Sequence, residues 1–552
     1  MRCLPINFFL LVVIFVFDAH YVLANNSNSI IKPLKIPDNF PLGIVSARRL
    51  DEFAIFKSIN VEVHIAHPRI GDLLVQLECP NGHIVTLHNR VGGQKQNLNV
   101  TYRVRECENA NVVGNWKLRV SDNAPAAEGS LLSWKLNTKA DKSDVPIFRI
   151  GGINDWYLIG NTITPGDDRL NVHIDVSGKV YSMTAIVDGK ASQPLTKSES
   201  AFDAMLDIRE LPPGIHTLLL TAGKNSAPVA MLQFRRTYPL YVLMTTDWDS
   251  SDSQDSILHL HEKLHVRHPG LKFTHFLGPY TFTDPSVSKR RQSYLAKWFL
   301  RLQATYHDDI GLHIHPFCNF VNTVTGVPCR IKPSDSYTKG DSTGYTVLSA
   351  AYGEEEYLKL LRAADNLFTA HGLGKPTAFR AGSWAANGGT LKALAEDGFV
   401  ADSSANNWAR IEESRHDGNG FLYKWNREHW HPITDISQPY YPSTLNPALP
   451  GLPNIPILEI PDNGSLVDYV TGEEMIEIFK RNWSGSALVR PTTYVMGFHP
   501  VSYSLGYHQR IEKALAYIDN YLAAKGEGPV VYENVSSMTK IFKDFPTYPI
   551  LH

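Results

Sequence analysis

From Tyr238 onward the sequence alternates between short apolar runs and longer stretches with helical spacing. Apolar runs of this length favour buried strands, and strands that alternate repeatedly with helices are typical of a parallel sheet closed into a barrel. We therefore predict an α/β fold, a distorted (β/α) barrel, over residues 238–545. Its first strand is expected within 239–250, the later strands at 271–277, 310–314, 377–381, 399–401, 455–460, 494–498 and 530–533, and the helices at 254–267, 288–306, 354–371, 390–397, 472–482 and 508–525.

Polar residues follow five of these predicted strands, at the ends where a barrel of this kind carries its chemistry. The first strand ends in Asp247 and Asp249, whose side chains share one face because they lie two positions apart on a strand. They could act on one small volume, although an Asp-rich turn before the next helix is the competing interpretation. The later strand ends carry His313 with His315, Arg380 with Trp384, Asp402 with Trp408 nearby, and His499.

The order of these motifs resembles that of the polysaccharide deacetylases of carbohydrate esterase family four, the NodB-homology fold, across about residues 238–538. The resemblance implies hydrolysis of N-acetyl groups on a glycan. Two motifs depart from the family pattern, since one residue is inserted between the two acids and the histidines are more closely spaced. The matching segments are Thr245-Thr246-Asp247-Trp248-Asp249, His313 with His315, Phe379-Arg380-Ala381-Gly382-Ser383-Trp384, Asp402 with Trp408, and Val495-Met496-Gly497-Phe498-His499-Pro500.

The residue types at these positions suit metal-assisted hydrolysis. A carboxylate and two neutral imidazoles leave an open position on a catalytic zinc ion, so we expect Asp249, His313 and His315 to be its ligands. Asp247 would then take a proton from the attacking water, with Arg380 keeping the carboxylate ionised. The opposite assignment of the two acids stays open.

Other strand-end residues are expected to handle the substrate. His499 is expected to protonate the leaving amine, and Asp402 to help bind the sugar. Trp384 and Trp408 could stack on a sugar ring, with buried packing as the alternative for either. Two further hypotheses remain: hydrolysis of another C–N amide bond on the same fold, and a degenerate barrel used as a binding or adhesion module.

Residues 48–140 consist of short segments with period-two alternation, which is typical of an antiparallel β-sandwich. Their motifs resemble the P domain (Homo B) of proprotein convertases. The resemblance implies a jelly-roll-like sandwich and not proteolysis, because no protease domain precedes it. The motifs are His67-Pro68-Arg69-Ile70-Gly71-Asp72-Leu73, Pro80-Asn81-Gly82, Gly114-Asn115-Trp116-Lys117-Leu118-Arg119-Val120-Ser121-Asp122 and Gly129-Ser130-Leu131-Leu132-Ser133-Trp134-Lys135-Leu136.

A second all-β segment follows at residues 144–236. It contains alternating runs and an Asp188-Gly189 pair, which is a hairpin signal between such runs. We predict an immunoglobulin-like sandwich here, acting as a spacer between its neighbours.

The first 24 residues have the pattern of a secretory signal peptide, with Arg2 before an apolar run over 6–17. A membrane anchor is the alternative, but a span needs about 20 apolar residues and this run is shorter. We therefore expect a secreted or extracytoplasmic chain without a membrane span after cleavage. The formal net charge of −2 gives no support to a nucleic-acid partner. The oligomeric state is not indicated.

Four cysteines remain after the signal and fall into two local pairs, Cys79 with Cys107 and Cys318 with Cys329. In an exported chain an even count favours disulfides, while a zinc cluster would need shorter spacing. The connection 316–353 is long for a βα turn and is predicted to form a lid held by the second pair. The histidines of the 254–267 helix are expected to face solvent.

Overall fold

The computed structural model describes residues 33–50, 52–53, 56–80, 82–105, 114–140, 146–223, 227–415, 420–543 and 545. The predicted signal peptide and Cys107 lie outside these residues. Within them, no helix combines the length and the apolar character needed to cross a bilayer.

The first unit is a sandwich of two four-stranded antiparallel sheets, as the alternation predicts. Trp116 and Trp134 are fully buried between the sheets, and the Trp134 indole N–H donates to Ser46 Oγ at 2.9 Å. The sandwich also includes two strands that begin before residue 48. One sheet contains Leu34–Ile36, Phe56–Ala66, Leu98–Arg103 and Gly129–Ala140, and the other contains Phe40–Leu50, Leu73–Glu78, Ile84–Asn89 and Gly114–Asp122.

The second unit is a sandwich of two five-stranded sheets. Burial alternates strictly along Arg169–Ser177, so one face of this strand packs in the core. The hairpin at Asp188-Gly189 joins two paired strands, as predicted, while the immunoglobulin-like assignment stays a prediction. One sheet contains Glu52–Phe53, Ile147–Gly151, Arg169–Ser177, Ala201–Asp207 and Thr196–Lys197, and the other contains Trp156–Leu158, Ala227–Thr237, Gly214–Ala222, Met183–Val187 and Ala191–Pro194.

The third unit is a curled sheet of eight parallel strands, which confirms a barrel-like fold. In order across the sheet the strands are Leu458–Glu459, Ala401–Asp402, Ala378–Ala381, Asp309–Ile314, Phe273–Leu277, Leu240–Asp247 and Thr492–Phe498, with Val530–Tyr532 beside the first half of Leu240–Asp247.

In the described residues the two edge strands of this sheet do not pair with each other; the irregular segment between them contacts the strand Thr492–Phe498 through a side chain and through an isolated backbone bridge between Leu466 and Gly497. Asn463 Oδ1 accepts a hydrogen bond from the Val495 amide at 2.9 Å, and Asn463 Nδ2 donates to Thr493 O at 3.1 Å. The barrel is therefore closed on this side by an irregular segment.

Helices cover the outside of the curled sheet. All six predicted helices are present; five have ends within two residues of the prediction, and the sixth, predicted at 508–525, runs over Leu505–Ile518. Five further helices were not predicted: the two that follow the strand Ala401–Asp402, and the short helices Tyr280–Thr283, Cys318–Val321 and Met538–Phe542. The helices are Asp255–Arg267, Tyr280–Thr283, Lys289–Tyr306, Cys318–Val321, Glu354–Ala370, Gly388–Asp397, Trp408–Arg415, Phe421–His429, Gly472–Asn482, Leu505–Ile518 and Met538–Phe542. Short 3-10 turns lie at Ile70–Asp72, Ser349–Ala351, Gly382–Trp384, Asp519–Tyr521 and Ala523–Lys525.

The expectation that the histidines of the first barrel helix face solvent is wrong for His261, His265 and His268, which are all buried. The helix packs against the sheet, and carboxylates meet two of these rings. His265 Nε2 lies 3.0 Å from Asp308, and His268 Nδ1 lies 2.7 Å from Asp519.

Candidate active site

Three of the predicted ligands meet at the carboxyl end of the curled sheet. Asp249 follows the strand Leu240–Asp247. His313 lies in the strand Asp309–Ile314 and His315 directly follows it, and one strand, Phe273–Leu277, separates the two in the sheet. Asp249 Oδ1 lies 3.1 Å from His313 Nε2 and 3.4 Å from His315 Nε2. One ligand atom from each residue falls within 4.8 Å of the others, so the structure brings the three residues together as the sequence predicts.

Backbone carbonyls orient both imidazoles. His313 Nδ1 donates to Arg380 O at 2.8 Å, and His315 Nδ1 donates to Tyr345 O at 2.7 Å. Because a carbonyl can only accept, each neutral ring carries its proton on Nδ1 and presents the lone pair of Nε2 to the centre of the cluster.

This donor set fits a divalent metal ion. His315 Nε2 is buried and has no hydrogen-bond partner, which is costly for a polar atom unless a ligand completes it. Burial works to raise the pKa of Asp249, but the positive charge of the nearby His499 outweighs it and helps to hold the pKa well below its usual range. An ionised carboxylate and two neutral imidazoles match the ligands of a catalytic zinc site.

A buried ion pair lies beside the cluster. Arg380 Nη1 lies 3.0 Å and 3.2 Å from the two carboxylate oxygens of Asp247. The guanidinium is fully buried and is fixed from behind, because its Nε donates to Ser403 O at 3.0 Å. Asp247 is thus held in one orientation at the edge of the cleft.

A third histidine, His499, lies beside Asp249 and is paired with a carboxylate of its own. His499 Nδ1 lies 2.9 Å from Asp468 Oδ2, and His499 Nε2 lies 3.7 Å from Asp249 Oδ2. Burial would lower the pKa of His499, but the charges of Asp249 and Asp468 outweigh it and raise the pKa to about 10. The imidazole is therefore cationic at neutral pH and can give up a proton.

One cleft of about 380 Å³ is lined by five of these residues: Asp247, Asp249, His313, Asp468 and His499. Trp384 forms part of its wall, and the indole N–H donates to Asp462 Oδ2 at 3.0 Å. Ser383 and Trp384 have positive φ values of 59° and 54°, a conformation that non-glycine residues seldom adopt outside functional sites. The cleft is lined by Asp247, Asp249, His313, Tyr337, Thr338, Tyr345, Thr346, Ala381, Ser383, Trp384, Leu422, Asp468, Tyr469, His499, Val501 and Ser502.

Two predicted substrate-binding residues lie elsewhere in the described part of the chain. Asp402 is fully buried, and its carboxylate accepts from the Ser404 hydroxyl at 2.8 Å. It faces Glu459, whose pKa is raised well above its usual range by burial and by Asp402. Trp408 begins a helix that carries it away from the cleft, and its ring stacks on His431 with centroids 5.9 Å apart.

Three residues of the site were missed at the level of sequence: Tyr345, Asp462 and Asp468. All three lie in irregular segments, away from the predicted strand ends. For Tyr345 the sequence offered one signal, its position within the connection predicted to be a lid.

The long connection 316–353, between the strand Asp309–Ile314 and the helix Glu354–Ala370, forms one wall of the cleft. Cys318 and Cys329 are disulfide-bonded with Cα atoms 5.3 Å apart, as predicted. Four residues of the connection line the cleft: Tyr337, Thr338, Tyr345 and Thr346. Cys79 is also disulfide-bonded, while its predicted partner lies outside the described residues.

The fold and site thus define a curled parallel barrel with an Asp-His-His cluster, preceded by two β-sandwiches. Residues 56–138 match the family model of the proprotein convertase P-domain, which confirms the resemblance of the first sandwich. Leupeptin-inactivating enzyme 1 of Streptomyces exfoliatus is 47% identical over 78 residues, which are 14% of this chain and 17% of that enzyme. The chain therefore spans less than a fifth of this relative.

Solved structures similar to the C-terminal half include carbohydrate esterases and deacetylases. A candidate polysaccharide deacetylase from Mycobacterium smegmatis is 15% identical with a TM-score of 0.33, covering 57% of this chain and 94% of that chain. The family 4 carbohydrate esterase from Streptomyces lividans is 11% identical with a TM-score of 0.27, covering 55% and 96%. TM-scores of this size carry no weight for function, which is inferred below from the site.

Proposed function

We propose that the chain is a secreted, metal-dependent hydrolase that removes acetyl groups from an N-acetylated glycan. One observation carries the proposal. The Asp249, His313 and His315 cluster is flanked within one cleft by Asp247, which is paired with an arginine, and by His499, which is paired with a carboxylate. A ligand set with a base on one side and an acid on the other is what amide hydrolysis requires.

Each residue has a defined task in this proposal. A zinc ion held by the cluster would lower the pKa of a water and polarise the acetyl carbonyl. Asp247 accepts the proton of the attacking water, and the Arg380 guanidinium at 3.0 Å holds its carboxylate in place. His499 then gives its proton to the leaving nitrogen, with its ring held by Asp468.

The lining of the cleft supports a sugar substrate. The rings of Tyr345, Trp384 and Tyr469 line the cleft, the last two with only 3% and 7% of their surface exposed, while Thr338 and Ser502 offer hydroxyl groups. Aromatic rings interleaved with hydroxyls suit the alternating apolar faces and hydroxyl edges of a sugar ring. An N-acetylhexosamine polymer such as chitin or peptidoglycan is the proposed substrate class.

The alternatives make different demands on the same site. A degenerate binding module has no need of a carboxylate held by an arginine or of a histidine held by a carboxylate, and both are present here. A hydrolase for a small cyclic amide would share the chemistry but would act on a free small molecule and not on a polymer.

The test uses the purified full-length chain. Metal content is measured by mass spectrometry, and acetate release is followed with N-acetylglucosamine oligomers, peptidoglycan and a small cyclic amide. We expect about one divalent metal per chain, acetate release from a glycan, loss of activity after chelation and recovery when zinc is added back. Stoichiometric metal without acetate release from any N-acetylated polymer would contradict the proposal.

A further inference from the structure

Tyr345 contacts two of the three proposed ligands, although no sequence pattern singles it out. Its hydroxyl lies 2.8 Å from Asp249 Oδ2, and its carbonyl oxygen lies 2.7 Å from His315 Nδ1. Its ring stacks on the His315 imidazole with centroids 4.5 Å apart and an angle of 21° between the planes. One residue therefore fixes the orientation of two ligands.

The hydroxyl contact gives the two oxygens of Asp249 different surroundings. A carboxylate can only accept, so the phenol is the donor. Oδ2 is bound by Tyr345, while Oδ1 is the oxygen within 3.1 Å of His313 Nε2 and 3.4 Å of His315 Nε2. The contact holds Asp249 with a single oxygen toward the imidazoles.

The segment that carries Tyr345 is packed against the disulfide. Cys318, one half of that bridge, donates its backbone N–H to Thr343 O at 2.7 Å. Gly344 has a φ of 85°, and a Cβ atom there would lie 2.4 Å from the carbonyl oxygen of Pro316. This position needs glycine both for its backbone conformation and for the close approach.

Asp341 fixes the chain on both sides of Tyr345. It accepts hydrogen bonds from the amide and the hydroxyl of Thr343 and of Thr346, at 2.7–2.8 Å. Burial works to raise the pKa of Asp341, but these bonds lower it to about 2, so the carboxylate stays ionised and keeps all four contacts.

We infer that Tyr345 is a positioning residue of the metal site, through which the disulfide-closed connection sets the affinity for the metal ion. This inference rests on the proposed function, since it takes Asp249, His313 and His315 as ligands. Hydrogen bonds to metal ligands commonly change metal affinity by about 10-fold to 100-fold, because they hold each ligand in its bound orientation.

The test compares zinc dissociation constants of full-length chains, measured by competition with a chromophoric chelator at fixed pH. Tyr345→Phe keeps the ring and the backbone and removes only the hydroxyl. Zinc affinity should fall by about 10-fold to 100-fold, while the melting temperature of the metal-free chain stays that of the parent. Tyr352→Phe is the matched control, because its hydroxyl lies in the same connection but contacts the Arg330 amide at 3.3 Å; it should keep the parent affinity.

A second variant tests the role of the disulfide. The double variant Cys318→Ser, Cys329→Ser should also bind zinc more weakly than the parent. Adding Tyr345→Phe to this double variant should lower the zinc affinity by a smaller factor than Tyr345→Phe does in the parent. Parent affinity in Tyr345→Phe, from a parent that binds one zinc ion, would overturn the inference and leave the proposed function standing. A parent chain that binds no zinc would overturn both.

Discussion

At the scale of single residues, the two acids after the first barrel strand differ because different neighbours hold them. Asp247 faces a buried guanidinium at 3.0 Å, whereas Asp249 faces two imidazole Nε2 atoms at 3.1 Å and 3.4 Å. An arginine cannot share a metal site, since it has no lone pair to offer and repels the ion. The neighbours therefore favour Asp249 as the ligand and Asp247 as the base.

The two acids can be separated by conservative substitution. Asp247→Asn should keep the metal, because all three ligands are intact, while turnover falls by about 10² to 10⁴, the usual contribution of a general base. Asp249→Asn should lose metal as well as turnover. Bound metal and acetate release are measured for both variants beside the parent. Loss of metal from the Asp247 variant alone would show that the roles are exchanged.

The role of His499 can be tested through the leaving group. His499→Gln should lower turnover of an N-acetylated oligomer by about 10² to 10⁴, because the amine leaves only when protonated. A nitrophenyl acetate ester has a leaving group that needs no proton, so the same variant should lose far less of its esterase rate. An equal loss on both substrates would contradict the assignment of His499 as the acid.

The site residues that lie at strand ends could be predicted from the sequence, whereas those in irregular segments could not. Asp249 and His313 follow from the position of a strand terminus, because side chains at the carboxyl ends of parallel strands converge. Asp468 and Tyr345 reach the cleft through connections whose path depends on tertiary packing, and no local period marks them. Asp402 has the right position in the chain but is buried against Glu459.

At the scale of helices and strands, long periodic segments were predicted well and short ones were not. Glu354–Ala370 and Lys289–Tyr306 have enough turns for an apolar face to show in the sequence. The predicted strands 399–401 and 455–460 overlap the observed strands Ala401–Asp402 and Leu458–Glu459, but their bounds are wrong, because two residues are too few to show a period. The burial of histidines on Asp255–Arg267 was not predicted, because a carboxylate partner such as Asp308 of His265 is distant in sequence.

The end of the first barrel helix is held by a charged histidine whose contribution depends on pH. Burial would lower the pKa of His268, but Asp519 and Glu512 raise it to about 9. Since the folded pKa exceeds the unfolded value near 6.5, the stabilisation is fully present below pH 6.5 and is lost as pH rises through 9. The loss should be at most about 3 kcal/mol.

Urea unfolding at pH 6.5 and pH 9.5 measures this loss as a fall in the free energy of unfolding. His268→Gln should lower the free energy at pH 6.5 and flatten its dependence on pH between the two values. His259→Gln, an exposed position on the same helix, is the control and should behave as the parent. A parent whose stability does not fall in this interval would contradict a charged His268.

At the scale of the whole molecule, both sandwiches contribute side chains to one hydrophobic cluster of the barrel. Phe40 of the first sandwich and Trp156 of the second are buried in it. Lys513 of the barrel lies 4.5 Å from the centre of the Phe40 ring, and the rings of Trp156 and Trp483 meet edge to face at 5.6 Å. The barrel is thus covered by its neighbours on a surface away from the cleft.

Polar contacts at the same surface join the second sandwich to the first barrel strand. Tyr241 is fully buried, and its hydroxyl lies 2.7 Å from Asn161 Nδ2 and 2.9 Å from Thr164 Oγ1. A barrel without its sandwich would expose this hydroxyl and the indole of Trp483. The second sandwich therefore packs as a structural part of the barrel.

Removing one aromatic ring at this surface should destabilise the barrel. Trp156→Ala should lower the free energy of unfolding of the barrel by about 3 to 5 kcal/mol, the range for truncating a buried tryptophan. Urea unfolding is followed by far-ultraviolet circular dichroism together with loss of bound metal, which reports on the barrel alone. Tyr181→Ala, at a site 80% exposed on the same sandwich, is the control and should change stability by less than about 0.5 kcal/mol. If Trp156→Ala leaves the metal-loss transition where it is in the parent, the sandwich and the barrel are energetically independent, and the contact between Trp156 and Trp483 contributes nothing to the stability of the site.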